Sequence, residues 1–361
     1  MIFGEILVAC KSNQHNLFNW RHTLKKMKSR EIVLRRRPVG IPEESDFLIV
    51  EVPRKEPGEG EILIRNIYIS VDPYMRGRMV DRKSYTPSFQ VGETITGGCV
   101  GQVVSSNVSE FQEGDFVLGF GGWREYYLSD GSDLTWVDAD ALPLQSYLGV
   151  AGMPGMTAYV GLLDIGQPQE NETVYVSAAS GAVGSIVCQI AKIKGCRVVG
   201  SAGSDQKVDW LIHELGVDAA FNYKKVADLS AELRKHCPDG IDIYFENVGG
   251  EHLQAVLDNM NAFGRIPVCG MISQYNLTEA QPGPTNLSSI IGKRLLLKGF
   301  LVSDHRERLP QFMKDMTGWI QSGEIKWKET ILEGIENTPK AFIGLFKGEN
   351  LGKMLVHLTP E

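Results

Sequence analysis

The stretch Thr173-Val174-Tyr175-Val176-Ser177-Ala178-Ala179-Ser180-Gly181-Ala182-Val183-Gly184 decides the fold of this 361-residue chain. Its first four residues are typical of a buried strand, and the glycines that follow are typical of a tight turn. Apolar residues then recur at helical spacing from Val183 to Ile193. A strand, a glycine turn and a helix in this order can hold a dinucleotide phosphate at the helix N-terminus, although a plain tight turn shows the same pattern.

Strands and helices alternate after this turn. The patterns predict helices over 206–215, 226–236 and 251–260, alternating with strands over 197–201, 219–222, 241–246, 264–270 and 295–302. Such alternation is typical of a doubly wound parallel sheet. Before residue 150, turn residues separate shorter strands, which favours an antiparallel barrel; these strands are predicted over 47–52, 61–71, 97–104 and 115–120.

These patterns predict an α/β protein with two domains. A parallel-sheet domain is expected over residues 151–314, and a β-barrel domain over residues 27–150, completed by residues 315–361. Residues 11–26 mix polar, aromatic and basic types with no clear repeat, and we expect residues 1–26 to be a disordered N-terminal extension.

The composition is that of a globular protein, with 43% hydrophobic and 22% charged residues and a net charge of −7. No apolar run approaches the ~20 residues that span a bilayer, and the negative charge disfavours nucleic acid, so neither partner is expected. The six cysteines form no Cys-x-x-Cys pair, and none has a histidine at metal-ligand spacing. We therefore expect no metal site, free thiols and a cytoplasmic protein.

The end of the second predicted strand indicates which dinucleotide binds. It is Gly200-Ser201-Ala202-Gly203-Ser204 and has no acidic residue, whereas an NAD site usually places Asp or Glu here to hold the ribose hydroxyls. The small residues leave room for a 2′-phosphate that Lys207 can neutralise, so the pattern favours NADPH. The alternative is that Lys207 is a solvent-exposed helix residue.

Six motifs follow one another along the chain: Asp72-Pro73-Tyr74-Met75-Arg76-Gly77-Arg78-Met79, Gly152-Met153-Pro154-Gly155-Met156-Thr157-Ala158-Tyr159, Ala178-Ala179-Ser180-Gly181-Ala182-Val183-Gly184-Ser185, Gly203-Ser204-Asp205-Gln206-Lys207, Phe245-Glu246-Asn247-Val248-Gly249-Gly250 and Gly348-Glu349-Asn350-Leu351-Gly352-Lys353. In this order they resemble the medium-chain dehydrogenase/reductase superfamily. Within it, they are similar to the zinc-free branch of prostaglandin reductases and plant alkenal double-bond reductases, and most similar to the bacterial NADPH-dependent curcumin reductases. The resemblance runs from about residue 27 to residue 358.

The resemblance implies a GroES-like barrel as the catalytic domain, a Rossmann domain, a zinc-independent reaction and a homodimer. It also implies a set of residues that contact NADPH. These are Thr157, Ser180, Gly181, Ala182, Val183, Gly184, Gly203, Ser204, Lys207, Tyr223, Asn247, Cys269, Gly270, Met271, Ile272, Ser273, Tyr275, Phe300, Leu301, Val302 and Asn350.

The implied reaction is reduction of a carbon–carbon double bond conjugated to a carbonyl, in a small enone or alkenal such as a curcumin-like ketone. Hydride reaches the β-carbon, and the developing enolate needs a hydrogen-bond donor at the carbonyl oxygen. Tyr275, Tyr74 and Tyr85 are the candidate donors, because a phenol donates a hydrogen bond and its ring suits a flat apolar substrate. The cofactor ribose hydroxyl is implied to share this role.

Two other functions fit the same patterns: an NADP-dependent dehydrogenase of a secondary alcohol, and a non-catalytic sensor that binds NADPH. Two further features of the sequence are a long segment after the fifth predicted strand and two arginines near Tyr74. Residues 276–289 are either a flap over the substrate or an ordinary connecting loop, and Arg76 and Arg78 are expected to form salt bridges within the barrel.

Overall fold

The structure, a computed structural model, describes residues 28–358; the predicted extension, residues 1–26, lies outside them. The described N-terminal part contains one short α-helix, α1 (Met75–Arg78), and seven strands, β1 (Lys28–Leu34), β2 (Phe47–Pro53), β3 (Ile62–Ser70), β4 (Cys99–Ser106), β5 (Phe116–Gly119), β6 (Tyr126–Ser129) and β7 (Thr135–Trp136). β1 and β2 form an antiparallel pair, and β3 to β7 belong to a larger sheet.

The central part alternates strands and helices. Its strands are β8 (Thr173–Val176), β9 (Arg197–Ala202), β10 (Ala219–Asn222), β11 (Ile241–Phe245), β12 (Met260–Val268) and β13 (Leu296–Gly299). Its helices are α2 (Met153–Val160), α3 (Gly184–Ile193), α4 (Asp205–His213), α5 (Leu229–His236), α6 (Gly250–Asn259) and α7 (Ser289–Lys293).

The six central strands form one parallel sheet in the order β10-β9-β8-β11-β12-β13. The chain adds β9 and β10 on one side of β8 and then returns to place β11 on the other side. In such sheets the crevice at this reversal is where ligands bind. The predicted fold class, a doubly wound parallel sheet with a second β domain, is confirmed.

The C-terminal part returns to the N-terminal sheet. It contains α8 (Leu309–Gln321), β14 (Glu329–Glu333), α9 (Thr338–Lys347) and β15 (Lys353–His357). β15 pairs antiparallel with β3 and parallel with β14, which gives a mixed sheet of the order β14-β15-β3-β4-β5-β7, with β6 also paired to β3. The exact domain limits after residues 150 and 314 stay predictions.

Buried aromatic rings attach α9 to the N-terminal strands. The ring of Trp123 lies 5.5 Å from that of Phe342 in α9 and 5.7 Å from that of Phe47, and all three side chains are buried. Burying large apolar side chains of this kind contributes about 1.5–3 kcal/mol each. This packing holds residues 348–353, which follow α9, between the two sheets.

Several elements had no clear sequence pattern. Three of the first four residues of β1 are charged, β7 has two residues, and α9 contains Gly344, which weakens a helical pattern. Tertiary packing overrides these weak local preferences. Among residues 28–358, no helix is both long enough and apolar enough to cross a membrane.

Candidate active site

The predicted cofactor residues lie at one edge of the parallel sheet. Each group follows the carboxyl end of a different strand: 180–184 follow β8, 203–207 follow β9, 223 follows β10, 247 follows β11, 269–275 follow β12 and 300–302 follow β13. Because the six strands are parallel, their carboxyl ends meet at the same edge. The fold therefore gathers these groups on one side, and their contacts with a cofactor stay a prediction.

The loop after β8 packs so closely against α3 that position 184 needs a glycine. A Cβ on Gly184 would lie 2.5 Å from Ala178 O and 2.9 Å from Ala179 Cα, closer than atoms can approach. Ser180 is buried, and residues 181–183 are half-buried. The loop thus delivers the positive end of the helix dipole to the sheet edge, where it favours an anionic group.

The segment after α9 closes onto this loop. Gly352 N–H donates to Ser180 O at 2.9 Å, and Asn350 Nδ2 donates to Gly352 O at 2.7 Å. Lys207 Nζ, from the other side, donates to Gly348 O at 2.7 Å. Asn350 therefore lies beside the predicted phosphate loop, although 166 or more residues separate the two in sequence.

Two lysines and a tyrosine meet at the end of β9. Tyr223 Oη and Lys224 Cε each lie 3.3 Å from the place a Cβ would take on Gly203. Burial lowers the pKa of Lys207, and the nearby charge of Lys224 lowers it further. Ser204 Oγ accepts a hydrogen bond from Lys207 N–H at 3.4 Å and so caps α4. Two ammonium groups this close repel each other, and an anion between them would relieve that repulsion.

Asn247 is fixed by a buried network. Its Nδ2 donates to Ser177 O at 2.7 Å and its N–H to Ser177 Oγ at 3.1 Å. Next to it, the fully buried Glu246 accepts hydrogen bonds from the Tyr244 hydroxyl at 2.6 Å and from the two N–H groups of the following turn at 2.7 and 2.8 Å. Burial raises the pKa of Glu246, against these hydrogen bonds.

The loop after β12 is attached to the same turn. Cys269 N–H donates to Glu246 O at 3.0 Å, Ile272 N–H to Asn247 O at 3.1 Å, and Ser273 Oγ to Val248 O at 2.5 Å. These bonds fix the backbone that leads to Tyr275.

Tyr275 ends this loop with its hydroxyl turned back towards it. The phenolic oxygen accepts a hydrogen bond from Met271 N–H at 3.3 Å, which leaves the phenolic hydrogen to be donated elsewhere. That oxygen would lie 2.9 Å from a Cβ on Gly270, so glycine lets the ring reach this place. Burial raises the pKa of Tyr275, and the Met271 N–H opposes the rise because it stabilises the phenolate.

The three candidate tyrosines lie near one another. Burial raises the pKa of Tyr74, Asp72 and Tyr85 raise it further, and Arg78 opposes the rise. Tyr85 also contributes to the raised pKa of Tyr275. Charge effects fade beyond roughly 10 Å, so Tyr85 lies near both Tyr74 and Tyr275, and we call the region around the three phenols the candidate substrate cleft. Tyr74 and Tyr275 are half-buried in it, whereas Tyr85 is 64% exposed.

The expectation that Arg76 and Arg78 form salt bridges within the barrel is wrong for the described residues. Arg78 stacks on the Phe89 ring, with its guanidinium carbon 4.0 Å from the ring centre, and donates from Nε to Pro87 O at 3.0 Å. Arg76 bonds to backbone carbonyls and to Asn276. The acidic residues of this region are engaged elsewhere, as Asp72 is with Lys353 at 3.1 Å.

Thr157 and residues 300–302 lie on the α2 side of the crevice. Thr157 is buried, and its hydroxyl donates to Met153 O at 2.7 Å, so only its oxygen lone pairs remain for a ligand. Phe300 packs against the helical continuation of α2, with its Cζ 2.6 Å from the place of a Cβ on Gly161. Leu301 and Val302 are half-buried.

Two family models match the chain: the N-terminal domain of oxidoreductase over residues 30–137, and zinc-binding dehydrogenase over residues 182–318. The NADPH-dependent curcumin reductase of Escherichia coli is 46% identical over 341 residues, 93% of this chain and 99% of the relative. The chain belongs to the medium-chain dehydrogenase/reductase family. Another member, the NADP(+)-dependent 2-alkenal reductase of Nicotiana tabacum, is 47% identical over 343 residues, 93% of this chain and 99% of the relative. The resemblance inferred from the motifs is confirmed.

A solved structure of the same family extends this similarity to three dimensions. CurA from Vibrio vulnificus, in complex with NADPH, has a TM-score of 0.88 and 46% sequence identity, and the match covers 92% of this chain and all of that chain. The reductase fold therefore accounts for almost all of residues 28–358.

The description of one matching family model mentions zinc, and residues 28–358 do not fit a zinc site. Within residues 28–358, no three His, Cys, Asp or Glu side chains are grouped as a metal ion requires. Burial raises the thiol pKa of Cys188 and of Cys237 to about 12, which disfavours the thiolate that zinc binds. Among the described residues, the predicted tyrosines stay the candidate groups for polarising a substrate carbonyl.

Two residues of this reductase site escaped the sequence patterns. Lys224 immediately follows Tyr223 at the end of β10, and Glu246 immediately precedes Asn247 at the end of β11. Each could have been found from its position directly beyond a parallel strand. Their roles depend on contacts with other strand ends, which no local pattern records.

Proposed function

We propose that this medium-chain reductase uses NADPH to reduce the carbon–carbon double bond of α,β-unsaturated ketones and aldehydes. The observation that carries the proposal is the identity of 46–47% over 93% of the chain to reductases named for curcumin and for 2-alkenals. Both substrates contain a double bond conjugated to a carbonyl. That unit is therefore the substrate class proposed for this protein.

The residues present fit NADPH. The tight loop at Gly184 leaves the start of α3 open to a pyrophosphate, and the paired ammonium groups of Lys207 and Lys224 suit a 2′-phosphate. Tyr223, beside them, offers a ring and a hydroxyl to the same end of the cofactor. When bound, NADPH supplies the hydride.

Tyr275 is proposed to hold the substrate carbonyl. Its phenolic hydrogen donates to the carbonyl oxygen and donates more strongly as negative charge develops there. The Met271 N–H supports this by donating to the phenolic oxygen from the other side. Tyr74, half-buried in the same cleft, lines the apolar surface and is the second candidate donor. Tyr85 is exposed and lies at the entrance.

A substrate panel tests the proposed function. Purified protein is supplied with NADPH and either 2-alkenals or a curcuminoid, and with NADP⁺ and secondary alcohols, and the absorbance of NADPH is followed. We expect oxidation of NADPH with the enones and no reduction of NADP⁺ with the alcohols. Turnover of alcohols alone would make the protein an alcohol dehydrogenase, and tight NADPH binding without any turnover would make it a sensor.

We also propose that the reaction is independent of zinc and that the protein acts in the cytoplasm. The absence of any zinc requirement is supported by the tyrosine donors, which can polarise the carbonyl unaided. A cytoplasmic location is supported by the free thiols at all five described cysteines, Cys99, Cys188, Cys196, Cys237 and Cys269. Turnover that survives dialysis against a chelator, and cell fractionation, test the two statements.

A homodimer is proposed through β13. This strand is at the end of the described parallel sheet, and Leu296, Ile291 and Phe263 are exposed beside it, by 48%, 81% and 65%. Exposed main-chain groups and apolar side chains at an edge favour pairing with a second copy. Light scattering should show a dimer that Leu296→Asp dissociates. Leu48→Asp, equally exposed on β2, should leave the dimer intact; dissociation by both or by neither would contradict this interface.

A further inference from the structure

Arg76 joins two parts of the chain that face each other across the candidate active site. It is 3% exposed and lies in α1 of the N-terminal part. Its Nε donates to Asn276 Oδ1 at 3.0 Å, and Asn276 lies 200 residues further along, just after the loop that follows β12. Its Nη2 donates to Gly40 O at 3.0 Å and to Pro38 O at 3.2 Å. One guanidinium therefore connects α1 to two other segments, the turn at residues 38–40 and the segment at residue 276.

These acceptors are unusual for a buried cation because all of them are neutral. Within the described residues, no carboxylate lies within salt-bridge distance of Arg76, and its Nη1 has no hydrogen-bond partner. Burial lowers the pKa of Arg76, and the acidic residue that most opposes this, Asp46, is bonded at 2.6 Å to Arg36. A buried charge held only by neutral groups is costly to stability. A purely structural contact would be better served by an apolar side chain.

The position of this contact suggests what it does. Arg76 is two residues after Tyr74, and Asn276 is one residue after Tyr275. The hydrogen bond between them therefore sets how far apart these two tyrosines can lie. The turn at residues 38–40 packs against the same place, since Thr278 Cγ2 and Asn276 O lie 3.7 and 4.0 Å from the place of a Cβ on Gly40.

We propose that Arg76 is a positioning residue which, through Asn276, fixes Tyr275 opposite Tyr74. This rests on the proposed function, in which Tyr275 holds the substrate carbonyl. Loss of the contact lets the end of the 269–275 loop move away from Tyr74, while the phosphate loop and the lysines that hold the cofactor stay in place. The contact thus acts on the chemical step and not on cofactor affinity.

Three variants test this. Asn276→Leu keeps the size of the side chain and removes the acceptor, whereas Asn276→Asp keeps the acceptor oxygen and gives Arg76 a charged partner. Asn286→Leu is the matched control, because Asn286 lies on the same connecting segment and bonds at its far end, to Asp258 Oδ1 at 2.7 Å. If Asn276→Leu does not fold, Asn276→Ser takes its place, since its hydroxyl is too short to reach Arg76.

We expect Asn276→Leu to lower kcat for an enone by about tenfold, since small misplacements of a catalytic group cost this much or more. The Kd for NADPH should stay within about twofold of the wild type. Asn276→Asp and Asn286→Leu should keep kcat within about threefold. A kcat for Asn276→Leu within twofold of the wild type, or an equal loss in Asn276→Asp or Asn286→Leu, would overturn the proposal.

Hydrogen–deuterium exchange separates this proposal from the proposed function. Backbone amides of residues 270–278 should exchange faster in Asn276→Leu than in the wild type or in Asn276→Asp. If these amides exchange at the wild-type rate in Asn276→Leu, Arg76 does not position Tyr275, whatever the activity of the variant. A wild type that turns over no enone, with the exchange difference present, refutes the proposed function and leaves the contact established.

Discussion

Two buried cations, Lys353 and Arg76, connect the segment of residues 72–76 to other parts of the chain, and their hydrogen bonds and charges are satisfied in different ways. Lys353 lies 3.1 Å from Asp72 Oδ1 and donates to Val71 O and Met354 O at 2.8 and 2.9 Å, so each of its three donors is used and its charge is paired. Arg76 bonds only to neutral oxygens and has a donor to spare. Both are less than 5% exposed.

This difference suggests that the Lys353 contact serves the stability of the fold, whereas the Arg76 contact serves the candidate active site. Lys353 follows Gly352, which binds the phosphate loop through Ser180, so the charged pair connects that loop rigidly to the segment that carries Tyr74. The Arg76 contact reaches a half-buried amide on a loop and has no charge to hold it. We infer that the Lys353–Asp72 pair stabilises the native state and that the Arg76–Asn276 hydrogen bond sets the position of Tyr275 in the cleft.

Lys353→Met should have the largest effect, a loss of about 3–5 kcal/mol in the free energy of unfolding, because Asp72 is left as an unpaired buried charge. Urea unfolding measures this, and adding Asp72→Asn should restore part of the loss. The control is Lys28→Met, which removes an exposed partner of Glu51 and should change the free energy of unfolding far less than Lys353→Met does. An equal loss of unfolding free energy in Lys353→Met and Lys28→Met would show that burial does not make the Lys353–Asp72 pair more important for stability.

Tyr275→Phe should lower kcat about a hundredfold, because the donor to the developing enolate is lost. Tyr74→Phe should have a smaller effect, since Tyr74 is only the second candidate donor to the carbonyl oxygen. Tyr126→Phe in β6 is the control. Steady-state rates with one enone measure all three, and near-wild-type kcat in both Tyr275→Phe and Tyr74→Phe would rule out catalysis by a phenol.

His252 is a third buried side chain that can carry a positive charge. Burial makes its neutral form the more stable one, so the native protein does not bear the cost of burying that charge. His252 is 6% exposed, its Nε2 has no partner in the described residues, and burial lowers its pKa to about 4. The unfolded chain binds this proton near pH 6.5, whereas the native protein binds it only near pH 4. The contribution of His252 to stability is therefore fully present above about pH 6.5, and it should fall by about 2 kcal/mol by about pH 5 and further as the pH drops towards 4.

Unfolding by urea at several pH values checks this contribution of His252. His252→Leu should flatten the dependence between pH 6.5 and 4, and the same change at the exposed His213 should leave it unaltered. A dependence that persists in His252→Leu would assign the acid sensitivity to other groups.

Lys207→Ala should have the smallest effect, a rise of about tenfold in KM for NADPH, equivalent to ~1.4 kcal/mol. Like Arg76, Lys207 donates to a carbonyl, here Gly348 O, so its charge is free for a ligand. The KM for NADH, which lacks the 2′-phosphate, should hardly change. Lys225→Ala, which removes an exposed partner of Asp205, is the control. An unchanged KM for NADPH would remove Lys207 from the site.

Much of the site was predictable because its residues follow strand ends. The positions of Gly181, Lys207, Asn247 and Tyr275 beyond four predicted strands suffice to bring them to one edge, once the strands are parallel. The partners of Arg76 were predicted wrongly for the opposite reason. Nothing near Arg76 in sequence indicates a carbonyl at residue 40 or an amide at residue 276.

The sequence by itself determined the doubly wound sheet, the glycine turn between β8 and α3 and the family, because strand and helix periodicity and glycine turns depend on neighbouring residues. Only the tertiary structure decided that Arg76 meets Asn276 across 200 residues, and that Lys353 finds Asp72. Such contacts depend on how the two sheets pack against each other. Packing is set by the shape and burial of whole surfaces, so no local pattern contains it.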